Sequence, residues 1–552
     1  MMSAIFSFNL LFQKIQMSKK NLILLSILTG TLLAPAWYSW GSGLFLLIAL
    51  VPLLFVENEI NKHPGNINKK LSFWLPFLSF SIFNILTTWW IKNASFAGLI
   101  VAVILNSTLM STVFYLFSLS RRKLGDGFGY FSLVFYWIAY EYFYLNAEIS
   151  WTWLNLGNGF ANNIRLIQWY EFTGSIGGTL WALVINIFLF KVLYSWVNFK
   201  SLEKIKTELL ILLTFLIIPV SYSYFRYYTY KEKDNPYHIS VLQPNIDPYE
   251  KFNDIPADEQ MGILLDLAAG VTDSLTDYVV APETFINNSL WLDEMEQNPS
   301  IKSIRKFLQT YPKVKMIVGA TTYKLYTSPE EISESARPYR NSFYDSFNSA
   351  LQIDSTKKIQ FYHKSQLVVG VEKMPYTKYL KFLEKIMINL GGTFRSHGTQ
   401  KERTCLYSPQ DSLSIATLIC YESIFGEFVS DYLVPGHSGF IFVITNDGWW
   451  GDTPGYVQHN SFSRIRAIEN RRSIARSANT GISSFINQRG EILQEIGWWE
   501  RSAFKSILNA NDKLSFYTRY GDYIGRISAF FSIIFVLYTF VKIILTCRLS
   551  GR

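Results

Sequence analysis

The sequence has few cysteines and few charged residues for its length, and both shortages limit the class of protein to which it can belong. Three cysteines in 552 residues, at positions 405, 420 and 547, are too few for a disulfide framework. Charged residues make up 17% of the chain, below the roughly 25% typical of soluble globular proteins. No histidine or cysteine pair has the close spacing of a metal site, and no glycine-rich phosphate loop occurs. We therefore expect no metal and no cofactor.

Apolar residues are abundant instead, at 49% of the chain, with 17% aromatic residues. Residues 1–225 form long apolar runs, several of which reach the roughly 20 residues that cross about 30 Å of hydrocarbon. The first run is expected to be retained rather than cleaved as a signal peptide, because a second run follows almost at once; Met17 is an alternative start. The predicted spans lie near 21–36, 39–57, 71–91, 95–119, 128–146, 174–196, 207–225 and 526–546.

Basic residues between the apolar runs predict the orientation of the chain. The net charge of +9 arises from short loops rather than from a patch for nucleic acid, so we expect no nucleic-acid partner. With seven spans before residue 226, these loops share one face, which the positive-inside rule makes cytoplasmic. The segment 226–525 is then expected outside. The basic clusters are Lys19–Lys20, Lys62 with Lys69–Lys70, Arg121–Lys123, Lys200 with Lys204 and Lys206, and Arg548 with Arg552.

Two features of the apolar half leave alternatives open. Glu141 lies within a predicted span, where a charge costs roughly 2.5–3.5 kcal/mol on insertion scales. It is expected to face the interior of the helical bundle or to lie near the interface. The Trp- and Gly-rich stretch 150–160 is expected at the outer interface, where amphipathic rings settle.

The segment 226–525 has a different periodicity, in which short β-rich runs alternate with amphipathic helical runs. Helices are predicted at 257–271, at about 299–311 and near 458–476. This alternation is typical of a layered α/β domain. The predicted organisation is thus a helical membrane bundle at 1–225, one α/β domain at 226–525, and a last span with a short tail at 526–552.

Three polar residues each follow a predicted strand: Glu283 after YVVAP, Lys364 after IQFYH, and Cys420 after SIATLI. A reactive side chain at a strand end is how an open sheet presents groups to a cleft. Each residue alone is more often a solvated strand end or a packed thiol. Their joint occurrence favours a catalytic site.

The order Glu, Lys, Cys is similar to that of the nitrilase superfamily, and the fuller pattern resembles its membrane branch, the apolipoprotein N-acyltransferases. The resemblance extends over essentially the whole chain, including the spans that soluble nitrilases lack. It implies an αββα sandwich for the α/β domain. The motifs are VLQPNIDPYEKF (241–252), APETF (281–285), YHKSQLVVGVEKMPY (362–376), ICYESIF (419–425), TNDGWWGDTPGYVQH (445–459) and RAIENRRSIARSANTGISS (466–484).

The resemblance implies a role for each of Glu283, Lys364 and Cys420, here called the trio. Cys420 is expected to be the nucleophile, Glu283 the general base and Lys364 the group that stabilises the oxyanion. This division suits a thiol with an ordinary pKa near 8.5, which needs a base to take its proton. Supporting roles are implied for Glu372, Tyr421, Glu422 and Phe252, although the family usually has Trp in place of Phe252 and often Ala in place of Gly448.

The activity implied by the resemblance is transfer of an acyl chain from a phospholipid, through a cysteine thioester, to the α-amino group of an S-diacylglyceryl-cysteine apolipoprotein. The implied partners are therefore the phospholipid, the apolipoprotein and the bilayer. The implied location is the bacterial inner membrane, with the α/β domain on the periplasmic side and the protein as a monomer.

Aromatic residues in the loops near the predicted catalytic site indicate that these loops act as lids, which open toward the bilayer. Trp449, Trp450 and Tyr456 are amphipathic, and the segments 284–292 and 378–392 are also apolar. Simple packing over the domain edge is the alternative. His363 is expected on the opposite strand face from Lys364, as a structural residue, and His459 is expected to support the site.

Two other functions remain open from the sequence alone. A membrane-tethered amidase of the nitrilase type would use the same trio, with water as the acceptor. A transporter or receptor with a catalytically inactive outer domain is the second alternative, against which the intact trio argues.

Overall fold

The computed structural model describes residues 17–63, 69–251, 254–356, 358–373 and 396–550, with side chains as far as residue 546. The chain divides into two compact units. The first, here called the helical unit, comprises Met1–Trp89, Ala97–Tyr228 and Asp522–Arg552. The second, the sheet unit, comprises Trp90–Phe96 and Thr229–Gly521. A short stretch of the apolar half therefore belongs with the α/β domain.

Apolar helices make up most of the helical unit. In the described part of the chain, seven helical segments have the length and composition to cross a membrane. They are Lys19–Trp37, Gly43–Lys62, Leu71–Thr88, Phe96–Leu145, Tyr170–Phe199, Lys206–Thr229 and Tyr523–Thr546.

The longest segment, Phe96–Leu145, contains two of the predicted spans. Its 50 residues would extend about 75 Å as one straight helix, more than twice a hydrocarbon core. Gly125 interrupts it with a φ of 83°, a conformation that glycine adopts without steric cost. Counting its two arms separately gives eight apolar segments among the described residues, the same number as the predicted spans. Arg121, predicted in a short loop between two spans, instead lies within this helical segment and is buried in an ion pair with Glu57.

Glu141 lies inside the helical unit, 1% exposed, so the interior position is the correct one of the two expected. Its carboxylate accepts hydrogen bonds from Trp137 Nε1 (3.1 Å), the Leu156 backbone N–H (2.8 Å) and Thr179 Oγ1 (2.6 Å). Trp153 is also buried, so the 150–160 stretch packs within the unit. Glu141 thus ties this stretch to two helices.

Two β-sheets form the centre of the sheet unit. Their strands are β1 (Pro236–Gln243), β2 (Tyr278–Val280), β3 (Ile286–Trp291), β4 (Lys315–Tyr326), β5 (Arg337–Tyr339), β6 (Ser342–Ile353), β7 (Gln360–His363), β8 (Leu406–Ser408), β9 (Leu413–Ile419), β10 (Phe440–Thr445), β11 (Ser473–Ala478), β12 (Ser483–Ile486), β13 (Ile492–Ile496) and β14 (Ser502–Asn509). The first sheet has the strand order β14-β1-β2-β4-β6-β5, with β3 also paired to β4 and β7 to β6. The second sheet has the strand order β13-β12-β11-β10-β9-β8.

The two sheets face each other, and helices cover their outer faces. Aromatic rings meet between the sheets, as where Tyr278 lies 5.5 Å from Phe442. Helices Ala257–Val271 and Pro299–Thr310 pack on the first sheet through a buried aliphatic core. Helices Gly426–Gly436 and Pro454–Asn470 accompany the second sheet. This is the predicted αββα sandwich, and the predicted fold class is confirmed.

The helix predicted near 458–476 was misplaced at both ends. It begins at Pro454, where the Thr453 side chain accepts a hydrogen bond from the Gly455 N–H, and it ends at Asn470. Arg471 then adopts a left-handed conformation (φ 49°), which terminates the helix, and the chain continues as β11.

Candidate active site

Glu283 follows β2 and lies buried between groups from several strands. Its carboxylate accepts hydrogen bonds from Lys364 Nζ (3.1 Å), Asn348 Nδ2 (2.7 Å) and the Asn446 backbone N–H (3.1 Å). All three partners are donors, and a carboxylate oxygen accepts hydrogen bonds. Together the three donors fix the orientation of the Glu283 side chain.

Lys364 follows β7, is 1% exposed, and lies between two carboxylates. Its Nζ is 3.1 Å from Glu283 Oε1 and 2.9 Å from Glu372 Oε2. Burial by itself lowers the pKa of a lysine, but the charges of Glu283 and Glu372 outweigh burial and hold the pKa of Lys364 well above its ordinary value. The side chain is thus an ammonium at neutral pH.

Glu372 completes this cluster on the other side of the lysine. Its carboxylate also accepts hydrogen bonds from the Val368 N–H (2.9 Å) and from Asn348 Nδ2 (3.0 Å). Burial alone would raise its pKa, yet the Lys364 ammonium and these donors lower it. Asn348 therefore bridges the two carboxylates that hold the lysine.

Cys420 directly follows β9 and has a backbone φ of 52°, which is uncommon for a residue other than glycine. Such local strain persists only where the surroundings impose it. Burial raises the pKa of the thiol, and the negative charge of Glu283 raises it further, while Lys364 opposes both. These effects show that the three side chains share one electrostatic environment. The thiol is protonated at neutral pH, so it needs a base in order to react.

Glu422 joins the strand end that carries Cys420 to the segment after Lys364. Its carboxylate accepts hydrogen bonds from the Ile419 N–H (2.8 Å), the Ser365 N–H (2.7 Å) and the Tyr362 hydroxyl (2.6 Å). Burial raises the pKa of Glu422 to about 7. The carboxylate thereby fixes the two loops relative to each other.

His459 and Asp447 lie next to Cys420. His459 Nε2 is 3.2 Å from the Cys420 carbonyl oxygen, and Nδ1 is 2.9 Å from Asp447 Oδ1. Possible ligand atoms of Cys420, Asp447 and His459 lie within 4.8 Å of one another, close enough to suggest a metal site. Arg476 Nη2, however, lies 2.6 Å from Asp447 and 3.0 Å from His459. This guanidinium supplies the positive charge there and opposes a second cation.

Comparison with known proteins decides the family. A profile described as "Apolipoprotein N-acyltransferase N-terminal domain" matches residues 29–188, and one described as "Carbon-nitrogen hydrolase" matches residues 239–510. The chain belongs to the apolipoprotein N-acyltransferase family. The family predicted from the motifs is confirmed, as is the prediction that the protein is an enzyme of the acyltransferase class.

Relatives named apolipoprotein N-acyltransferase match along most of their length. The Chlorobaculum tepidum protein is 27% identical over 91% of this chain and 93% of its own. The Geobacter metallireducens protein is 27% identical over 90% of this chain and 91% of its own. A crystal structure of a carbon-nitrogen hydrolase superfamily protein from Xanthomonas campestris is 18% identical, covers 50% of this chain and 90% of its own, and has a TM-score of 0.33.

The other predicted site residues have varied surroundings. Tyr421 is buried, with its ring 5.2 Å from that of Phe425. His363 stacks on Phe347 at 4.1 Å, and burial lowers its pKa to about 4. Phe252 and the 378–392 segment lie outside the described residues.

The three predicted lid residues differ in exposure. Trp449 is exposed, and its ring is 5.2 Å from that of Tyr249. Trp450 packs against Trp90 at 4.9 Å, while Tyr456 stacks on Trp498 at 4.7 Å. Trp450 is thus held within the sheet unit.

Sequence reasoning missed Asn348, Asp447 and Arg476 as members of the site. Asn348 and Arg476 are buried within the apolar strands β6 and β11. A polar residue in a strand that is otherwise buried needs a partner, and this signal was available in the sequence. Asp447 belongs to a motif quoted above but received no role.

Proposed function

We propose that this protein transfers an acyl chain from a phospholipid, through a thioester on Cys420, to the α-amino group of an S-diacylglyceryl-cysteine apolipoprotein. The observation that carries the proposal is the buried cluster of Glu283, Lys364 and Glu372, in which the charges of Glu283 and Lys364 act on the Cys420 thiol. The names of the relatives supply the substrate classes. A thiol, a carboxylate that can take its proton and an ammonium that can stabilise an oxyanion suit acyl transfer through a thioester.

In the first step, Glu283 accepts the proton of the Cys420 thiol while the sulfur attacks the sn-1 ester carbonyl of the phospholipid. The carbonyl oxygen becomes an oxyanion, which the Lys364 ammonium stabilises; losing one such donor typically costs about 2.7–4 kcal/mol. The bond from the carbonyl carbon to the glycerol oxygen then breaks. That oxygen takes the proton from Glu283, and the lysophospholipid leaves.

In the second step, the α-amino group of the apolipoprotein attacks the thioester carbonyl. Glu283 accepts a proton from the nitrogen, and Lys364 stabilises the second oxyanion. The carbon–sulfur bond breaks, and the sulfur recovers its proton from Glu283. The two steps use the same carboxylate, ammonium and thiol. Because the lysophospholipid leaves before the apolipoprotein reacts with the thioester, the kinetics should be ping-pong.

The membrane location follows from the substrates in this proposal. Both the donor and the acceptor are anchored in lipid, and the helical unit supplies segments able to cross the bilayer. The proposed location of the catalytic domain is the periplasmic side of the inner membrane, as expected from the positive-inside rule. Trp449, which is exposed, is proposed as a lipid contact at the lid.

A two-substrate assay tests the function. Purified full-length protein in vesicles receives a phospholipid with a labelled sn-1 chain and a synthetic diacylglyceryl-cysteine peptide. The proposal predicts labelled amide on the peptide and one lysophospholipid per amide formed. Labelled free fatty acid with unmodified peptide would favour a hydrolase, and no release of the label from phospholipid would contradict both enzymatic functions.

The lid proposal has its own test. Trp449→Ala should slow the reaction with phospholipid in vesicles more than with a short-chain ester dispersed in water. Trp499→Ala, at another exposed tryptophan of the sheet unit, is the matched control and should affect both donors little. Equal rates of Trp449→Ala and wild type on vesicles would contradict the lid.

A further inference from the structure

A second buried lysine lies beside the base, outside the trio. Lys251 is 0% exposed, although lysine is among the residues least often buried completely. Its Nζ donates a hydrogen bond to the Glu283 backbone carbonyl oxygen (3.1 Å) and lies 3.5 Å from Thr284 Oγ1. The ammonium thus contacts two consecutive residues, the first of which is the proposed base.

The backbone that Lys251 contacts is strained. Thr284 has a φ of 47°, and a positive φ is a genuine outlier for a β-branched residue. The strand β4 approaches closely here, since a Cβ built on Gly319 would lie 2.5 Å from the Glu283 Cα. A conformation of this kind costs about 1–3 kcal/mol and needs support from its surroundings.

Neighbouring side chains hold Lys251 itself in place. Gln260 Nε2 and Asn287 Nδ2 donate hydrogen bonds to its backbone carbonyl oxygen, at 2.6 and 2.9 Å. Both are neutral, and Glu283 is the ionisable residue whose charge acts on the Lys251 ammonium. Its Nζ contacts a backbone carbonyl oxygen and a hydroxyl, whereas the Nζ of Lys364 contacts two carboxylates.

We propose that Lys251 is a positioning residue, which clamps the strained Glu283–Thr284 backbone and adds positive charge behind the Glu283 carboxylate. The inference rests on the proposed function, in which Glu283 is the general base. Two consequences follow. The clamp keeps the carboxylate aligned with the thiol, and the ammonium opposes protonation of that carboxylate.

The charge of Lys251 itself changes near neutral pH. Burial lowers its pKa to about 7, with the Glu283 charge acting in the opposite direction. Below pH 7 the side chain is therefore an ammonium. Its electrostatic effect is fully present in the acidic range where a carboxylate base loses activity through protonation.

The test compares two buried lysines of the sheet unit. Lys251→Met keeps the aliphatic stem and removes the charge, and Lys315→Met does the same at a lysine whose Nζ is 2.7 Å from Asp411. For each full-length variant, mass spectrometry follows acylation of Cys420 by phospholipid as a function of pH. A second readout is the rate at which iodoacetamide alkylates Cys420, which needs no lipid substrate. Thermal unfolding is measured in parallel.

The proposal predicts that Lys251→Met slows acylation by about 10- to 100-fold. It also predicts that the acid limb of both pH profiles moves to higher pH by about one unit. Lys315→Met should lower the unfolding temperature and leave both acid limbs where they are in the wild type.

Unmoved acid limbs in Lys251→Met would overturn the proposal, even if the protein were less stable, because a merely structural lysine affects stability alone. Failure of the proposed function would look different. The wild type would then form no acyl-Cys420, while the shift of the alkylation profile in Lys251→Met would still be present.

Discussion

Glu141 in the helical unit and Glu283 in the sheet unit are both buried glutamates that accept three hydrogen bonds. The donors to Glu141 are an indole, a backbone N–H and a hydroxyl, all neutral. Glu283 instead has an ammonium among its donors and acts on a thiol. Burial and hydrogen bonding alone therefore do not distinguish the proposed general base from a structural glutamate. The adjacent thiol and ammonium do.

The largest expected effect comes from removing the nucleophile. Cys420→Ser should reduce amide formation by about 10⁴-fold or more, because a serine hydroxyl beside a carboxylate is far less nucleophilic than a thiol. The measurement is the two-substrate assay in vesicles. Cys405→Ser is the matched control, because the Cys405 thiol donates a hydrogen bond to the Tyr432 carbonyl oxygen. This variant should retain activity. Wild-type rates in Cys420→Ser would refute the thioester.

Removing the cation should have the next largest effect. Lys364→Met takes away the oxyanion donor and should lower kcat by about 10²- to 10³-fold. It also leaves Glu283 and Glu372 without their shared counter-ion, so the unfolding temperature should fall. Lys364→Arg restores the charge and should recover stability more than activity. Full activity in Lys364→Met would show that the oxyanion is stabilised elsewhere.

Substitution of Glu141, a buried glutamate of the helical unit, should lower stability rather than activity. Glu141→Leu leaves the Leu156 N–H and the Trp137 indole N–H without their acceptor, so stability should fall by about 2 kcal/mol. The rate of acylation per folded molecule should change less than twofold. Glu141→Gln, which keeps one acceptor oxygen, should lose less stability. A normal unfolding temperature combined with lost acylation would mean that Glu141 has a catalytic role.

The smallest expected effect is on the pH dependence of stability. The pKa of Glu422 is raised to about 7, so the folded state binds its proton more tightly than the unfolded chain does. This contribution is complete below an ordinary glutamate pKa of about 4.3 and is lost as pH rises through about 7. The unfolding temperature of the wild type should therefore fall relative to Glu422→Gln between pH 5 and 8, by a few degrees.

Glu372, whose pKa is shifted in the opposite direction to that of Glu422, serves as the control. The pKa of Glu372 is lowered despite burial, because Lys364 favours its charged form. Its contribution is present above about pH 4.3 and is lost only as pH falls further. The difference between wild type and Glu372→Gln should stay constant from pH 5 to 8. A parallel pH trend in the two variants would contradict the assigned environments.

The sequence predicted the layered fold because hydrophobic periodicity changes clearly after the last apolar span of the first half. It also indicated that Glu283, Lys364 and Cys420 share a site, since each follows a strand. The structure gives the three side chains one electrostatic environment, and their catalytic roles stay a prediction. The sequence did not predict Asn348 or Arg476 as site members, because their partners come from loops and a helix that only the folded chain brings beside these strands. The left-handed Arg471 that ends its helix was missed for another reason, since nothing local to a non-glycine residue indicates a positive φ.

The most direct test of the central claim is mass spectrometry of the Cys420 peptide after full-length protein meets phospholipid without an acceptor. The thioester mechanism predicts one acyl chain on Cys420, removable by hydroxylamine. Adding the diacylglyceryl-cysteine peptide should then discharge it. An unmodified Cys420 in a protein that still forms the amide product would contradict this mechanism.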